Sequence, residues 1–323
     1  MPRHLLALRF SSLGDVVLLS GPLAWLRSQQ PQLRLSVATK AAYAPLLEGQ
    51  PWVDEVWTLE EEGLLGLARR ARREGVDALA DLHGNFRSRV VSLASAAPVN
   101  HIRNHRLDRH LLLKRGLVHI VPAGTFWATP PHVASRYAQA LAEATGLTPP
   151  SEAPAPNFKI SAEASQKAYA QAPGAGPWIG VVPGAAWATK RWPLRHFASA
   201  LDALARQGPL RFMLFGSESE RGVCQEVIAS SGEAKARCVD LSGQTPLPLL
   251  AAQLGRCQVV LSNDSGPMHL AGAVGAKVVA FFGPTVEGFG FTPLGSGAKV
   301  LQKELPCRPC SLHGGDICPL GTH

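Results

Sequence analysis

Short apolar runs alternate with longer amphipathic stretches along the whole chain. Residues 4–10 (HLLALRF) are the first run; Ser11-Ser12-Leu13-Gly14-Asp15 ends it. Residues 16–30 then place Leu18, Leu19, Leu23 and Leu26 at helical spacing. Residues 33–38 and 53–59 predict two further strands, 64–74 a helix, and 77–82 a strand that ends in the polar turn 83–89. The second half repeats the rhythm. Helical patterns cover 161–172, 194–207 and 247–254. Strands are expected at 178–182, 210–215, 259–262 and 277–282, with 237–241 short and extended. Alternating strands and helices predict an α/β fold of parallel, doubly wound sheets. Residues 148–156 (TPPSEAPAP) hold four prolines in nine positions and mark the expected boundary. This gives domains 1–156 and 157–323.

The most informative stretch is 259–275, VVLSNDSGPMHLAGAVG: an apolar strand, a turn of polar and capping residues, and a helix beginning near Met268. A strand–turn–helix junction can hold a phosphate, because the first N–H groups of a helix lack internal partners and the dipole there favours negative charge. Asp264 and His269 add a carboxylate and an imidazole. The plainer alternative is that Asp264 or Ser265 caps the helix and His269 packs beneath it. Residues 8–19 repeat the arrangement and place Asp15 at a helix start, where dipole complementarity alone could explain it.

Composition narrows the class. With 46% hydrophobic and 17% charged residues, the 323-residue chain is globular and long enough for two domains. No apolar run reaches the roughly 18 residues that would span a membrane, and the N-terminal run lacks a cleavage site, so the expected compartment is the cytosol. The net charge of +8 points to an anionic partner. Two basic clusters lie in the first half. Arg69, Arg70, Arg72 and Arg73 are the pattern of a solvated helix face, and residues 101–119 hold five Lys/Arg, four His and one acid. No aromatic series interleaves these charges, which argues against nucleic acid.

The segments PGAAWATKRWP, FGSESE, NDSGPMHLAGAVGAKVVAFFGPT and SSLGDVV resemble glycosyltransferase family 9, the ADP-heptose:lipopolysaccharide heptosyltransferases of bacterial inner-core assembly. The resemblance runs in order over nearly the whole chain. It implies a GT-B fold, two Rossmann-like domains facing a central cleft, and an inverting, metal-independent transfer that needs no cofactor beyond the nucleotide sugar. Carried across, Asp15 matches the proposed general base, with Gly14 beside it on the donor side. Lys190 matches the lysine that neutralises the nucleotide diphosphate. Asp264, Ser265, Gly266 and His269 match the segment holding the donor's pyrophosphate and sugar. Glu220, ahead of Glu218, matches the ribose ligand. Arg87, Arg109 and His132 fall where the family meets its acidic, lipid-anchored acceptor at the anionic inner face of the cytoplasmic membrane. One departure concerns the donor. Ala185-Ala186-Trp187-Ala188 replaces a more polar lining, leaving Thr189 and backbone N–H groups to serve the phosphates.

Cys224, Cys238 and Cys257 lie among apolar residues and read as buried thiols. The tail differs: Cys307, Cys310, Cys318 and His323 have softness and spacing that would suit a structural zinc, with free thiols, a disulfide or a redox pair as alternatives. Three other functions compete with heptose transfer: the same fold with another nucleotide sugar, a non-catalytic nucleotide-sugar sensor, and a basic nucleic-acid-binding protein with a zinc-stabilised tail. The last has no use for Lys190, Asp264 and His269 on strand-end turns.

Overall fold

A computed structural model describes residues 2–103, 105–117, 129–174, 176–318 and 320–321. The first elements are β1 (His4–Leu8), α1 (Leu13–Gln29), β2 (Arg34–Thr39), α2 (Ala44–Leu47), β3 (Glu55–Thr58), α3 (Leu59–Arg73), β4 (Ala78–Asp81), α4 (Phe86–Ser95), β5 (Val99–His101), α5 (Arg106–Leu117) and α6 (Val133–Thr145). There follow α7 (Ala162–Gln171), β6 (Trp178–Val182), α8 (Leu194–Gln207), β7 (Arg211–Leu214), α9 (Arg221–Ser230), β8 (Cys238–Asp240), α10 (Leu247–Gly255), β9 (Cys257–Asn263), α11 (Gly266–Ala273), β10 (Lys277–Phe282) and β11 (Lys299–Gln302).

The chain divides into two compact units, residues 1–104 with 131–159, and residues 105–130 with 160–323. The first holds a parallel sheet in the order β3-β2-β1-β4-β5; the second holds one in the order β11-β10-β9-β6-β7-β8. Both faces of such sheets are covered by helices, so the central strands are predominantly apolar. HLLAL in β1 and WIGVV in β6 are accordingly buried at every position. In each unit the chain starts on a central strand, winds outward, and returns to that strand's other side. The order therefore reverses between β1 and β4 and between β6 and β9, and ligands of open α/β sheets collect beyond the strand ends at such a reversal.

Two features differ from the sequence expectation. Residues 105–130 group with the second unit rather than the first. Their helix α5 packs on the 287–289 turn, and Leu112 lies against Gly288. The residues just after the proline-rich stretch are packed rather than free. Asn157 N donates to Ser20 Oγ (3.1 Å), Gln50 and Lys159 exchange two hydrogen bonds, and Trp52 packs edge-on against Phe158. The division falls just after these contacts, between 159 and 160. Among the described residues no helix is long and apolar enough to cross a membrane.

The proline-rich stretch constrains α1. A Cβ built at Gly21 would lie 2.7 Å from the Ala155 carbonyl carbon, so only glycine fits beneath that backbone. Helix propensity alone would make Gly21→Ala stabilising by up to about 1 kcal/mol. We expect the clash to win, with a net loss of about 1–3 kcal/mol. Thermal unfolding checks this: the midpoint should fall by several degrees, and a rise would contradict the packing described.

Candidate active site

The second unit gathers four strand ends. Beyond β9, Asn263 is fully buried. Its Nδ2 donates to the carbonyls of Pro183 (2.8 Å) and Gly184 (3.3 Å), and its Oδ1 accepts from Trp192 N (2.9 Å). One side chain thus fixes both ends of the loop after β6. Arg191 Nε donates to the Ala185 carbonyl within that loop, and Trp192 stacks on Phe281 of β10 at 4.1 Å. Held this way, Lys190 reaches across the reversal between β6 and β9. Its Nζ lies 2.7 Å from Asp264 Oδ2, and both side chains are largely buried. Thr285, beyond β10, donates its hydroxyl to the same Oδ2 at 2.7 Å.

Asp264 is therefore committed to a lysine and a threonine rather than to capping. Ser265 occupies the N-cap position of α11 in an extended conformation, yet its side chain makes no cap bond and lies 3.3 Å from Ser262 Oγ. Pro267 has no N–H, so Gly266 and Met268 present the first-turn N–H groups that lack an intrahelical acceptor. An ammonium beside uncapped N–H groups at a strand-order reversal is an arrangement suited to a diphosphate. His269 is buried in the first turn of this helix.

Glu220 approaches from β7. Its Oε2 accepts from Ser217 N and Ser217 Oγ, both at 2.8 Å, and a Cβ at Gly184 would run into its carboxylate. The structure thus brings Glu220 onto the turn that follows β6, whereas Glu218 is exposed and paired with Arg221. Thr189, expected to serve phosphates, turns elsewhere. Its hydroxyl donates to the Gly315 carbonyl (2.8 Å) and accepts from Gly315 N (2.9 Å). Its single O–H is spent, and a phosphate needs donors.

In the first unit Asp15 stands at N3 of α1. Its Oδ2 accepts from Ser12 N (3.1 Å) and Ser12 Oγ (2.8 Å) and pairs with Arg9 Nη2 (2.6 Å); its Oδ1 accepts from Tyr137 Oη (3.1 Å). Burial by itself would raise this carboxyl. The Arg9 guanidinium and the Ser12 donors outweigh it and hold Asp15 below the ordinary aspartate range. The fully buried Tyr137 phenol is pushed well above its usual value, first by burial and also by the Asp15 charge. His83, beyond the adjacent β4, is pushed down to about 4 by burial and by Arg9, so it is neutral at pH 7.

Gly14 is buried one residue before Asp15, in the first turn of α1. The expected acceptor residues are scattered over separate elements. Arg87 is exposed in the first turn of α4; His132 caps α6, its Nδ1 accepting from Ala134 N at 3.1 Å. Arg109 is on α5 in the second unit, its guanidinium 5.9 Å from the Phe291 ring centre. Cys224 and Cys257 are buried and Cys238 half-buried; burial pushes their thiols up to about 12, 12 and 11. Among the described residues no group of three or more His, Cys, Asp or Glu side chains is placed to hold a metal ion, and His323 lies outside them. Sequence reasoning missed Arg9, Tyr137, Asn263 and Thr285 as site residues. Arg9 had a signal, being a charge at the end of an apolar strand. Tyr137 had none, since it reaches Asp15 from 122 positions away.

The sequence signature of glycosyltransferase family 9 (heptosyltransferase) matches residues 64–315. The chain is 27% identical over 307 residues to lipopolysaccharide heptosyltransferase 2 of Escherichia coli K12, covering 90% of this chain and 86% of that one. It superposes on the solved structure of the E. coli ADP-heptose lipopolysaccharide heptosyltransferase II with a TM-score of 0.75 at 27% identity, over 92% of this chain and 90% of that one. A family 9 glycosyltransferase from Veillonella parvula gives the same TM-score at 25% identity, over 93% and 86% of the two chains. The two parallel α/β units are thus Rossmann-like and of the GT-B fold class. The family match, the whole-chain likeness and the lysine–carboxylate site at the second sheet's reversal agree: this chain belongs to glycosyltransferase family 9, the heptosyltransferases.

Proposed function

We propose that this chain transfers a heptose from ADP-heptose to a hydroxyl of the lipopolysaccharide inner core, inverting the anomeric centre without a catalytic metal. The observation that carries the reading is Lys190 bound to Asp264 beside the uncapped start of α11. The donor's identity is taken from the relative whose structure is described as an ADP-heptose enzyme.

Lys190 and the Gly266 and Met268 N–H groups hold the diphosphate and stabilise its charge as the anomeric C–O bond breaks. Glu220 accepts from the ribose hydroxyls. Asp15 receives the acceptor proton. A carboxylate held so low is a weak base towards a free alcohol. As the acceptor oxygen bonds to the anomeric carbon, however, it becomes strongly acidic, and even this carboxylate then takes its proton. The proton therefore moves late, in step with the new C–O bond, and the electron pair of the broken bond leaves on the diphosphate.

Acceptor recognition belongs to an arginine-rich face of the first unit. On α4, Phe86 and Leu93 are 79% and 84% exposed, with Arg87 and Arg89 exposed beside them. Arg69, Arg72 and Arg73 are exposed on the neighbouring α3. Apolar side chains among arginines suit a lipid-anchored, phosphorylated saccharide at an anionic membrane face. No nucleic-acid partner and no cofactor are proposed.

Turnover of ADP-heptose tests the reading. Lys190→Ala should lower kcat by about a hundredfold or more, the usual cost of losing one fixed electrostatic donor. It should also abolish stabilisation of the fold by ADP. Asp15→Ala should lose turnover while ADP still raises the melting temperature. Stabilisation by UDP or GDP instead would move the donor to another nucleotide sugar, and indifference to every nucleotide would contradict the assignment.

The depressed Asp15 carboxyl also sets a pH dependence. The Arg9–Asp15 pair contributes stability above the ordinary carboxylate range and loses it only as pH falls through the lowered Asp15 value. Asp15→Asn leaves Arg9 largely buried without its counter-charge. We expect it to cost about 3 kcal/mol at pH 7. Melting curves should show the gap between the Asp15→Asn variant and the wild-type protein holding steady from pH 8 to 5 and closing only in stronger acid. A gap that opened or closed near pH 6–7 would contradict this pairing.

A further inference from the structure

The C-terminal segment is bound to the two loops that form the lysine–carboxylate site. On one side, Thr189 N and Thr189 Oγ1 donate to the Gly315 carbonyl at 3.0 and 2.8 Å, and Gly315 N donates back to Thr189 Oγ1 at 2.9 Å. These bonds fix the residue next to Lys190. On the other side, Arg308 donates Nε to the Gly283 carbonyl and Nη2 to the Thr285 carbonyl (2.7 Å), while Cys310 N donates to the Pro284 carbonyl (3.1 Å). Those three consecutive residues carry the threonine that shares the Asp264 carboxylate.

Between these anchors the segment turns tightly. Ser311 Oγ accepts from Gly314 N (2.8 Å) and donates to the Gly314 carbonyl (2.9 Å). The turn sets Gly314 directly against the loop. Its φ is +99°, and a Cβ there would lie 2.8 Å from Trp187 Cβ and 3.1 Å from Lys190 Cγ. Both the conformation and the close approach demand glycine. The stem of the site's lysine thus packs on Gly314, and the carbonyls beside its carboxylate's other partner hang on Arg308.

We propose that residues 308–315 act as a strap that positions Lys190 and the Asp264–Thr285 pair for the donor diphosphate, with Arg308 and Gly314 as its positioning residues. The proposal rests on the reading of Lys190 as the diphosphate ligand. The strap reaches Lys190 at its Cγ and at its neighbour Thr189, leaving the ammonium end to the ligand. Arg308 suits its part because one planar fork meets the carbonyls of Gly283, Thr285 and Lys303 at fixed angles, which a lysine cannot reproduce.

Titration calorimetry of ADP into the full chain tests this, with the ligand-free melting temperature recorded for each variant. Gly314→Ala and Arg308→Lys should each raise the Kd for ADP about tenfold, the scale of a strained charge-assisted contact. Gly208→Ala, between α8 and β7 and outside the strap, is the control. Its Cβ would enter open space, so its Kd should match wild type. In turnover, both strap variants should raise the donor KM and leave the acceptor KM unchanged, a split that general destabilisation would not produce. Should Gly314→Ala fail to fold, Arg308→Lys decides. Wild-type affinity in both strap variants, or equal weakening in Gly208→Ala, overturns the strap. No heat from the wild-type chain with ADP overturns instead the donor reading beneath it.

Discussion

The buried amide of Asn263 is the contact on which the second unit's site depends. A buried amide must satisfy its donors and acceptor. Here it does so on the carbonyls of Pro183 and Gly184 and the N–H of Trp192. Those partners bracket the loop carrying Lys190, and Asn263 itself precedes Asp264. A single residue therefore couples the loop after β6 to the turn after β9 across the point where the strand order reverses. The Lys190–Asp264 contact, the Thr285 bond and the exposed start of α11 follow from that coupling. Removing the amide would orphan two carbonyls and free both loops at once.

Asp15 shows how a neighbourhood can set a group's chemistry against its simplest description. A helix N-terminus, a guanidinium and two Ser12 donors all favour the carboxylate. The group is always ready to accept a proton and has little affinity for one. That combination fits a transfer in which the acceptor oxygen sheds its proton only after bonding has begun. Tyr137, whose phenol is held protonated, keeps Oδ1 oriented without competing for the charge.

Much of this was legible in the chain because the physics is local. Apolar runs buried on both faces announced β1 and β6, and the polar turns after β1, β6 and β9 announced where ligands gather. Long-range pairing was not legible. Thr189 sits in a phosphate-like motif, yet its hydroxyl is taken by Gly315, 126 positions away. The α6 helix is hard to read from the chain because its buried face mixes Arg136 and Thr145 with alanines and larger apolar residues. The tail read as a metal segment from its cysteines, while its visible work is done by an arginine, a serine and two glycines that no cysteine pattern highlights.

The most direct test of the account is a crystal structure of this chain with ADP-heptose bound. The diphosphate should lie within hydrogen-bond distance of Lys190 Nζ and of the Gly266 and Met268 N–H groups, with the ribose hydroxyls on Glu220. A diphosphate seated away from Lys190 and the start of α11 would contradict the central claim.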